Sequence, residues 1–210
     1  MQVAFETVKP GVTERRVAAE LEYVMRKKGA DGTSFDTIIA SGESSAFPHG
    51  SYSNRTIRQG DLVVVDLGAT FQSYRSDMTR TFIAGKPTEK QKRIYETVKL
   101  AQQKAFEAIK PEIAACQVDA VARHLIEATG FGEFFVHGLG HGVGLEVHEP
   151  PVLSPSSKDV LAIGNVVTNE PGIYVPNFGG VRLEDTVIVT PNGAEKLTSD
   201  FLCLEKSQIR

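Results

Sequence analysis

Two stretches of this 210-residue chain end in a carboxylate that an apolar strand would bury: Gly60-Asp61-Leu62-Val63-Val64-Val65-Asp66 and Gly164-Asn165-Val166-Val167-Thr168-Asn169-Glu170. Each opens on a Gly-Asp or Gly-Asn turn signal, continues as a strand and places its acid six residues after the glycine. A second carboxylate follows each copy, Asp77 eleven residues later and Glu184 fourteen residues later. Buried carboxylates are costly unless paired or coordinated, so four of them on matching strands need a shared cation. Oxygen donors joined by one imidazole suit Mn²⁺, Co²⁺, Fe²⁺ or Zn²⁺, unlike the Cys-rich surroundings of structural zinc. Two such ions about 3.5–4 Å apart would activate water and polarise a carbonyl, which is metal-assisted hydrolysis.

Asp66 and Asp77 are equidistant from Phe71-Gln72, so a hairpin turning there predicts them directly opposite, with Cβ atoms about 4.5–5.5 Å apart. Like charges at that separation repel unless a cation bridges them or one is protonated. Phe71-Gln72 is not a favoured hairpin turn, and a bulge would shift the register. The plainer reading makes one Asp a turn cap and the other a solvent-facing acid; the apolar run before Asp66 argues against it. Glu184 lies in Gly179-Gly180-Val181-Arg182-Leu183-Glu184-Asp185-Thr186, where period two puts Arg182, Glu184 and Thr186 on one face. An Arg-Glu surface pair is the alternative there.

His137-Gly138-Leu139-Gly140-His141-Gly142-Val143-Gly144 offers two imidazoles four residues apart. Its four glycines argue against a helix and for extended backbone, with His137 and His141 on one face and a bend before His148. Glycines would also let a ligand approach closely. The run lacks the Lys-Ser/Thr of a phosphate-cradling loop.

The elements that must position these groups are legible. Thr13 caps a helix over about 14–28 that Gly29 ends. Residues 35–41 predict a strand and Phe47-Pro48-His49-Gly50 a loop or strand end. Thr88 with Gln91 forms a capping box for a long helix that stops before Pro111, and a third helix spans about 117–128, closed by Gly130. Each half thus runs helix, glycine, a His beside proline, then the Gly-led strand, which predicts two similar lobes of one domain facing one another.

Bulk properties exclude several classes. Hydrophobic content of 41% and charged content of 23% are ordinary for a globular chain with one sizeable core. A net charge of −3 gives no footprint for nucleic acid, and two divalent ions on four carboxylates would bring it to about +1. Cys116 and Cys203 sit near no zinc-spaced partner, and a disulfide scaffold is not expected. No apolar run approaches the roughly 20 residues of a spanning helix and no basic-then-apolar leader opens the chain, so no membrane is implied and the cytoplasm is the simplest compartment. Residues 2–9 read as the last turns of a helix ahead of Pro10-Gly11, as in a chain that has lost upstream sequence.

In combination, Pro48-His49-Gly50, Val65-Asp66-Leu67-Gly68, Ser76-Asp77-Met78-Thr79-Arg80-Thr81, Gly140-His141-Gly142-Val143-Gly144, His148-Glu149, Glu170-Pro171-Gly172 and Arg182-Leu183-Glu184-Asp185 resemble the pita-bread metallopeptidase family. That family includes methionine aminopeptidases, Xaa-Pro aminopeptidases, prolidases and the metal-free creatinases. The resemblance covers nearly the whole chain. It implies an α+β pita-bread fold, two pseudo-symmetric lobes with a curved antiparallel sheet covered by helices, in a single catalytic domain over residues 1–210. Relatives usually carry an N-terminal domain that this sequence does not contain, and a homodimer is implied for the full-length form.

By the same resemblance the cofactor is two divalent ions, Mn²⁺ foremost. Asp66 would chelate one ion, Asp77 and Glu184 would bridge both, and His141 with Glu170 would complete the second. Glu170 would also relay a proton to the leaving amine, and His148 would hydrogen-bond the substrate carbonyl or its tetrahedral oxyanion. His49 and His137 would line the substrate pocket, His49 counting with His148 and Glu170 among the catalytic groups. Arg182 would support Glu184 or bind a distal substrate residue.

The motifs point to the Xaa-Pro-cleaving branch, acting on short proline-containing peptides. Some prolidases carry an arginine four residues after the counterpart of His148; here that position is Val152. The departure favours an Xaa-Pro aminopeptidase over the alternative, an Xaa-Pro dipeptidase. Asn169, where many relatives have an apolar residue, is a second departure. An inactive peptide-binding copy of the fold would require lost ligands, and none is lost; a creatinase-like hydrolase would lack this full acid set.

Overall fold

A computed structural model of the chain describes residues 1–198 and 208–209. Cys203 lies outside the described residues, and Cys116 is a free thiol. Helix α1 (Gln2–Thr7) ends ahead of Pro10-Gly11 as predicted. Thr13, in extended backbone, accepts the Arg16 N–H on its side chain and starts α2 (Glu14–Lys27). Strands β1 (Gly32–Thr33) and β2 (Ile38–Ser41) follow, so the strand predicted over 35–41 keeps only its second half. After a 3₁₀ turn at Gly42–Ala46 and a loop through His49 come β3 (Leu62–Leu67), β4 (Ala69–Phe71), β5 (Tyr74–Arg75) and β6 (Met78–Ala84).

The Thr88–Gln91 capping box is complete, and α3 (Glu89–Ala108) runs to just short of Pro111. Helix α4 (Ala115–Ala128) begins two residues earlier than predicted, because the Ala115 N–H bonds to the Asp159 carbonyl instead of relying on a side-chain cap. The rest is β7 (Gly140–Gly142), β8 (Glu149–Leu153), β9 (Val166–Asn169), β10 (Gly172–Val175), β11 (Gly179–Arg182), β12 (Asp185–Thr190), β13 (Gly193–Lys196) and β14 (Gln208–Ile209).

The first lobe's sheet has the order β14-β6-β3-β2 and the second's β13-β12-β9-β7-β8, with β10-β11 and β1-β4-β5 as small additions. Pairing is antiparallel except for β14 beside β6. Each lobe has its own apolar core. Val17, Leu21, Ile39, Val63, Val65 and Phe82 join α2 to the first sheet. Ile94, Val98, Val118, Ala122, Val167 and Val187 join α3 and α4 to the second. Between the lobes the Glu184 N–H donates to the Thr79 carbonyl, the Thr186 hydroxyl to the Asp77 carbonyl at 2.7 Å, and the Thr81 hydroxyl to the Arg182 carbonyl at 2.9 Å.

One predicted register is corrected. Asp66 pairs with Thr79, not Asp77, because the hairpin turns on Gln72-Ser73. Both turn residues have positive φ, 50° and 71°. Bulky Phe71 tolerates that conformation poorly, so the turn moves one residue onward and Phe71 joins the strand opposite Tyr74. Asp77 thereby falls in the break between β5 and β6, diagonal to Asp66. Among the described residues no helix is long and apolar enough to cross a membrane.

Candidate metal centre and substrate cavity

The acids arrive where strands end or break. Asp66 is the penultimate residue of β3, Glu170 immediately follows β9, Asp77 precedes β6, and Glu184 occupies the gap between β11 and β12. His141 is the centre of β7, and its extended backbone agrees with the glycine argument. Gly138 and Gly140 line the cavity, and the glycines have a further use in packing. A Cβ on Gly140 would collide with the Thr168 carbonyl, and one on Gly142 would lie 2.5 Å from the carbonyls of Glu149 and Pro150. They let neighbouring strands close on β7.

Asp66, Asp77, His141, Glu170, Glu184, Arg182, His49, His137 and His148 all line one cavity of about 570 Å³, so every predicted site residue reaches it. Asp77, His141 and Glu184 offer ligand atoms within 4.8 Å of one another. His141 Nε2 lies 3.2 Å from Glu170 Oε1 and 3.7 Å from Asp77 Oδ2. Its Nδ1 is 3.0 Å from the Gly142 carbonyl. A proton on Nδ1 satisfies that carbonyl and turns the Nε2 lone pair toward the acids, the tautomer a metal-binding imidazole needs. The predicted bend also brings His148 back, its ring 4.2 Å from that of His141.

Arg182 does not pair with Glu184. Its Nη2 donates to Asp66 Oδ2 at 2.6 Å, Nη1 to the Tyr174 hydroxyl at 2.8 Å, and Nε to the Thr79 hydroxyl at 3.2 Å. Thr79 in turn donates to Glu184 Oε2 at 2.6 Å. Strand β11 stops at Arg182 and Glu184 falls in the break before β12, yet both side chains reach the same cavity, joined through the Thr79 hydroxyl. Tyr174 also meets His137 Nε2 at 2.9 Å, while His137 Nδ1 faces the Gly138 carbonyl at 2.7 Å. Arg182, Tyr174 and His137 thus form a chain in which each group donates to the next.

Burial sets the electrostatics. It raises Asp77 to about 8, with the charges of Asp66 and Glu170 adding to it. Burial and neighbouring acids also raise Glu184 well above the usual carboxylate range, and Asp66 is raised despite Arg182. Glu170 goes the other way: burial opposes ionisation, but the His141 hydrogen bond with His137, His141 and Arg182 nearby holds it at about 2. Burial lowers His148, assisted by His141. Without a cation the set therefore keeps protons on Asp77 and Glu184 and its negative charge on Glu170.

The residues fit a divalent centre by an independent test. Among the described residues, Asp66 Oδ1, Asp77 Oδ1 and Glu184 Oε1 are buried side-chain oxygens with no hydrogen-bond partner. Buried oxygens from both lobes left unpaired beside an imidazole are costly unless a cation takes them.

Three contributors were not anticipated. Thr79 is two residues beyond Asp77, Thr168 two before Glu170, and Tyr174 four after it. The Thr168 hydroxyl accepts the His141 N–H at 3.0 Å and donates to Glu170 Oε1 at 3.1 Å. Even-numbered spacing from a strand acid was the signal that could have found them. Asn169 is explained by packing, since it is fully buried and donates to the Gln102 carbonyl of α3 at 2.8 Å.

A two-lobed α+β fold with four acids and an imidazole converging between the lobes defines a hydrolase-type metal scaffold of pita-bread form. Residues 1–191 match metallopeptidase family M24, and the chain belongs to that family. It is 54% identical over 198 residues to the Xaa-Pro dipeptidase of Pyrococcus horikoshii, covering 94% of this chain and 56% of that protein. The prolidase from Pyrococcus furiosus superposes with a TM-score of 0.94 at 52% identity, over 95% of this chain and 59% of that one. The X-Pro aminopeptidase from Thermotoga maritima does so with 0.93 at 41% identity, over 98% and 57%. The chain spans about half the length of the curated relatives it matches.

Proposed function

We propose that this chain is the catalytic domain of a metal-dependent exopeptidase that hydrolyses the bond between a first residue and a following proline, with Xaa-Pro dipeptides as substrates. One observation carries the reading: unpartnered buried oxygens of Asp66, Asp77 and Glu184 meet His141 in one cavity. Asp66, Asp77, His141, Glu170 and Glu184 would hold two divalent ions, Mn²⁺ first among the candidates. Such ions supply Lewis acidity toward a carbonyl oxygen and toward water.

The chain's own groups do the rest. Glu170, which lines the cavity with its Oε1 3.2 Å from His141 Nε2, takes a proton from the attacking water and returns it to the proline nitrogen. His148, kept neutral by its lowered pKa, donates an N–H to the carbonyl oxygen as negative charge grows there. His49 and His137 form walls of the pocket, His137 oriented by Tyr174, while Arg182 holds Asp66.

Identity of 54% to a dipeptidase against 41% to an aminopeptidase supports the dipeptide substrate over the aminopeptidase expected from sequence. The aminopeptidase remains as second reading because of Val152. Among the described residues lining the cavity Arg182 is the one permanent cation, and it is buried on Asp66, so a dipeptide's carboxylate would meet imidazoles rather than a free guanidinium. Rates on Ala-Pro and Ala-Pro-Ala with Mn²⁺ test both. Mn²⁺-dependent cleavage faster on the dipeptide supports the first reading, faster cleavage of the tripeptide moves the assignment to the second, and turnover that survives chelation overturns both.

A further inference from the structure

Glu14 opens α2, is fully buried and does not line the cavity. Its two oxygens take four hydrogen bonds. Oε1 accepts from the Ser41 N–H at 2.8 Å and the Ser41 hydroxyl at 2.6 Å; Oε2 accepts from the Ser53 N–H at 2.9 Å and the Ser53 hydroxyl at 2.6 Å. Ser41 ends β2, and between it and Ser53 the chain runs through the 3₁₀ turn and presents Pro48, His49 and Gly50 to the cavity. One carboxylate therefore closes both ends of the loop that carries His49. At the loop's middle, Arg182 Nη1 reaches the Pro48 carbonyl at 3.1 Å.

The chemistry calls for a carboxylate. Four donors converge on two atoms, and an ionised acid is acceptor-only, whereas a Gln amide would turn an NH₂ toward two of those donors. The second lobe holds its own His-bearing segment in the same manner. Asp119 of α4, buried, accepts the Leu139 N–H at 3.0 Å and pairs with Arg123, which donates to the Phe135 and His137 carbonyls at 3.0 and 2.7 Å.

We propose that Glu14 is a positioning residue, which sets His49 against the cavity by clamping residues 41 and 53 together. The proposal rests on the exopeptidase reading and on the part His49 plays in it. A nearby wall displaced by about 1 Å can cost on the order of a hundredfold in rate.

The test compares Glu14→Gln, His49→Ala and the double variant in the Mn²⁺-loaded protein. Expected for Glu14→Gln are amide exchange at least about tenfold faster over residues 41–53, unchanged exchange over 135–142 and unchanged Mn²⁺ stoichiometry. With these goes a fall of about ten- to a hundredfold in kcat/KM on Ala-Pro, shrinking to less than about threefold when His49 is already alanine. Ser53→Ala removes one of the four bonds, and it should give a smaller change in the same readouts should the Gln variant not fold. Unchanged exchange over 41–53, or a full-sized loss that persists beside His49→Ala, overturns the proposal. If the unaltered protein cleaves neither Ala-Pro nor Ala-Pro-Ala, the exopeptidase reading falls by itself, and the exchange comparison alone decides whether Glu14 holds the loop.

Discussion

The two lobes are built on one backbone plan and spend it differently. Gly11 N–H to Ile57 carbonyl in the first is matched by Glu112 to Leu161 in the second, and Ile57 to Val12 by Leu161 to Ile113. Gly60 and Gly164 have φ of 87° and 89°, and each donates to the strand that carries or follows its lobe's second acid, at Ala84 and Val189. Even the side-chain turn recurs, Asp61 accepting the Arg58 N–H and Asn165 the Ala162 N–H, both at 2.8 Å. The divergence lies on the neighbouring strand. Val63 pairs with Ser41 where Val167 pairs with Gly142, so Ala40 stands in the place of His141. The first lobe uses that strand end to bind Glu14; the second uses it to aim an imidazole. Delivering acids is a property of the shared frame, whereas an imidazole on this strand is an addition to the second lobe, the first bringing its His49 from a loop instead.

The largest effect should come from removing an acid that neither lobe can replace. Asp77→Ala takes away an unpartnered oxygen beside His141 and Glu184, and Mn²⁺ bound should fall below one ion per chain. Turnover of Xaa-Pro peptides should drop by about a thousandfold or more. Metal analysis after gel filtration, run beside the assay, checks both; full metal content in this variant would mean that the second lobe suffices by itself.

Arg182→Ala asks how far the lobes lean on one ion pair. The substitution leaves Asp66, on the opposite lobe, buried without its cation, and breaking a buried pair from one side costs about 3–5 kcal/mol. Denaturant unfolding of the metal-free protein should register that loss, and Mn²⁺ should recover part of it by giving Asp66 another positive partner. A change below about 1 kcal/mol would show that the pair is not a mainstay of the lobe contact.

Proton linkage gives the next effect. In the metal-free fold Asp77 holds its proton up to about 8 because burial and the acids around it penalise its charge. In the unfolded chain the same group ionises near the ordinary value of about 3.9. Between those two values the unfolded state has lost a proton that the folded state keeps, so stability falls as pH rises, by about 1.4 kcal/mol per unit for that proton. Metal binding ejects the proton, and Mn²⁺ affinity should therefore rise with pH, by about tenfold per unit for each proton displaced. Unfolding in chelator at pH 6 and 7, with Mn²⁺ calorimetry at the same values, reads both slopes. Slopes of the same sign would break the assignment of Asp77 as a shared, protonated ligand.

Much of this was legible in the sequence for stateable reasons. Caps at Thr13 and Thr88 are local side-chain to backbone bonds, so the helix starts could be read directly. The four acids stood out because apolar strands make a buried carboxylate conspicuous. Registers were not legible: which two residues of a hairpin accept positive φ is decided by competition between Phe71 and Ser73, and the break after Arg182 depends on contacts with the other lobe. Tyr174, Thr79 and Glu14 were missed for the same reason. Each matters through a partner far away in the chain, such as Arg182 for Tyr174 or Ser41 and Ser53 for Glu14; even spacing from an acid marks Thr79 and Tyr174 as neighbours of the site but does not name those partners.

The smallest expected effect tests the shared frame itself. Thr13 and Ala114 occupy the same place ahead of α2 and α4: the Arg16 N–H bonds to the Thr13 carbonyl at 3.1 Å and the Gln117 N–H to the Ala114 carbonyl at 2.9 Å. Only Thr13 adds a side-chain cap. Thr13→Ala should thus cost about 1 kcal/mol, and Ala114→Ser should return a comparable amount, because the backbone there is already extended at φ −67° and ψ 131° and only the acceptor oxygen is missing. Chemical unfolding of the two single variants and the double one reads the comparison. Effects of opposite sign that add in the double variant would show that the lobes are independent copies at their helix starts. A destabilising Ala114→Ser would show that the second lobe has drifted from the plan at this point, with the Ala115 to Asp159 backbone bond taking over the work of the cap.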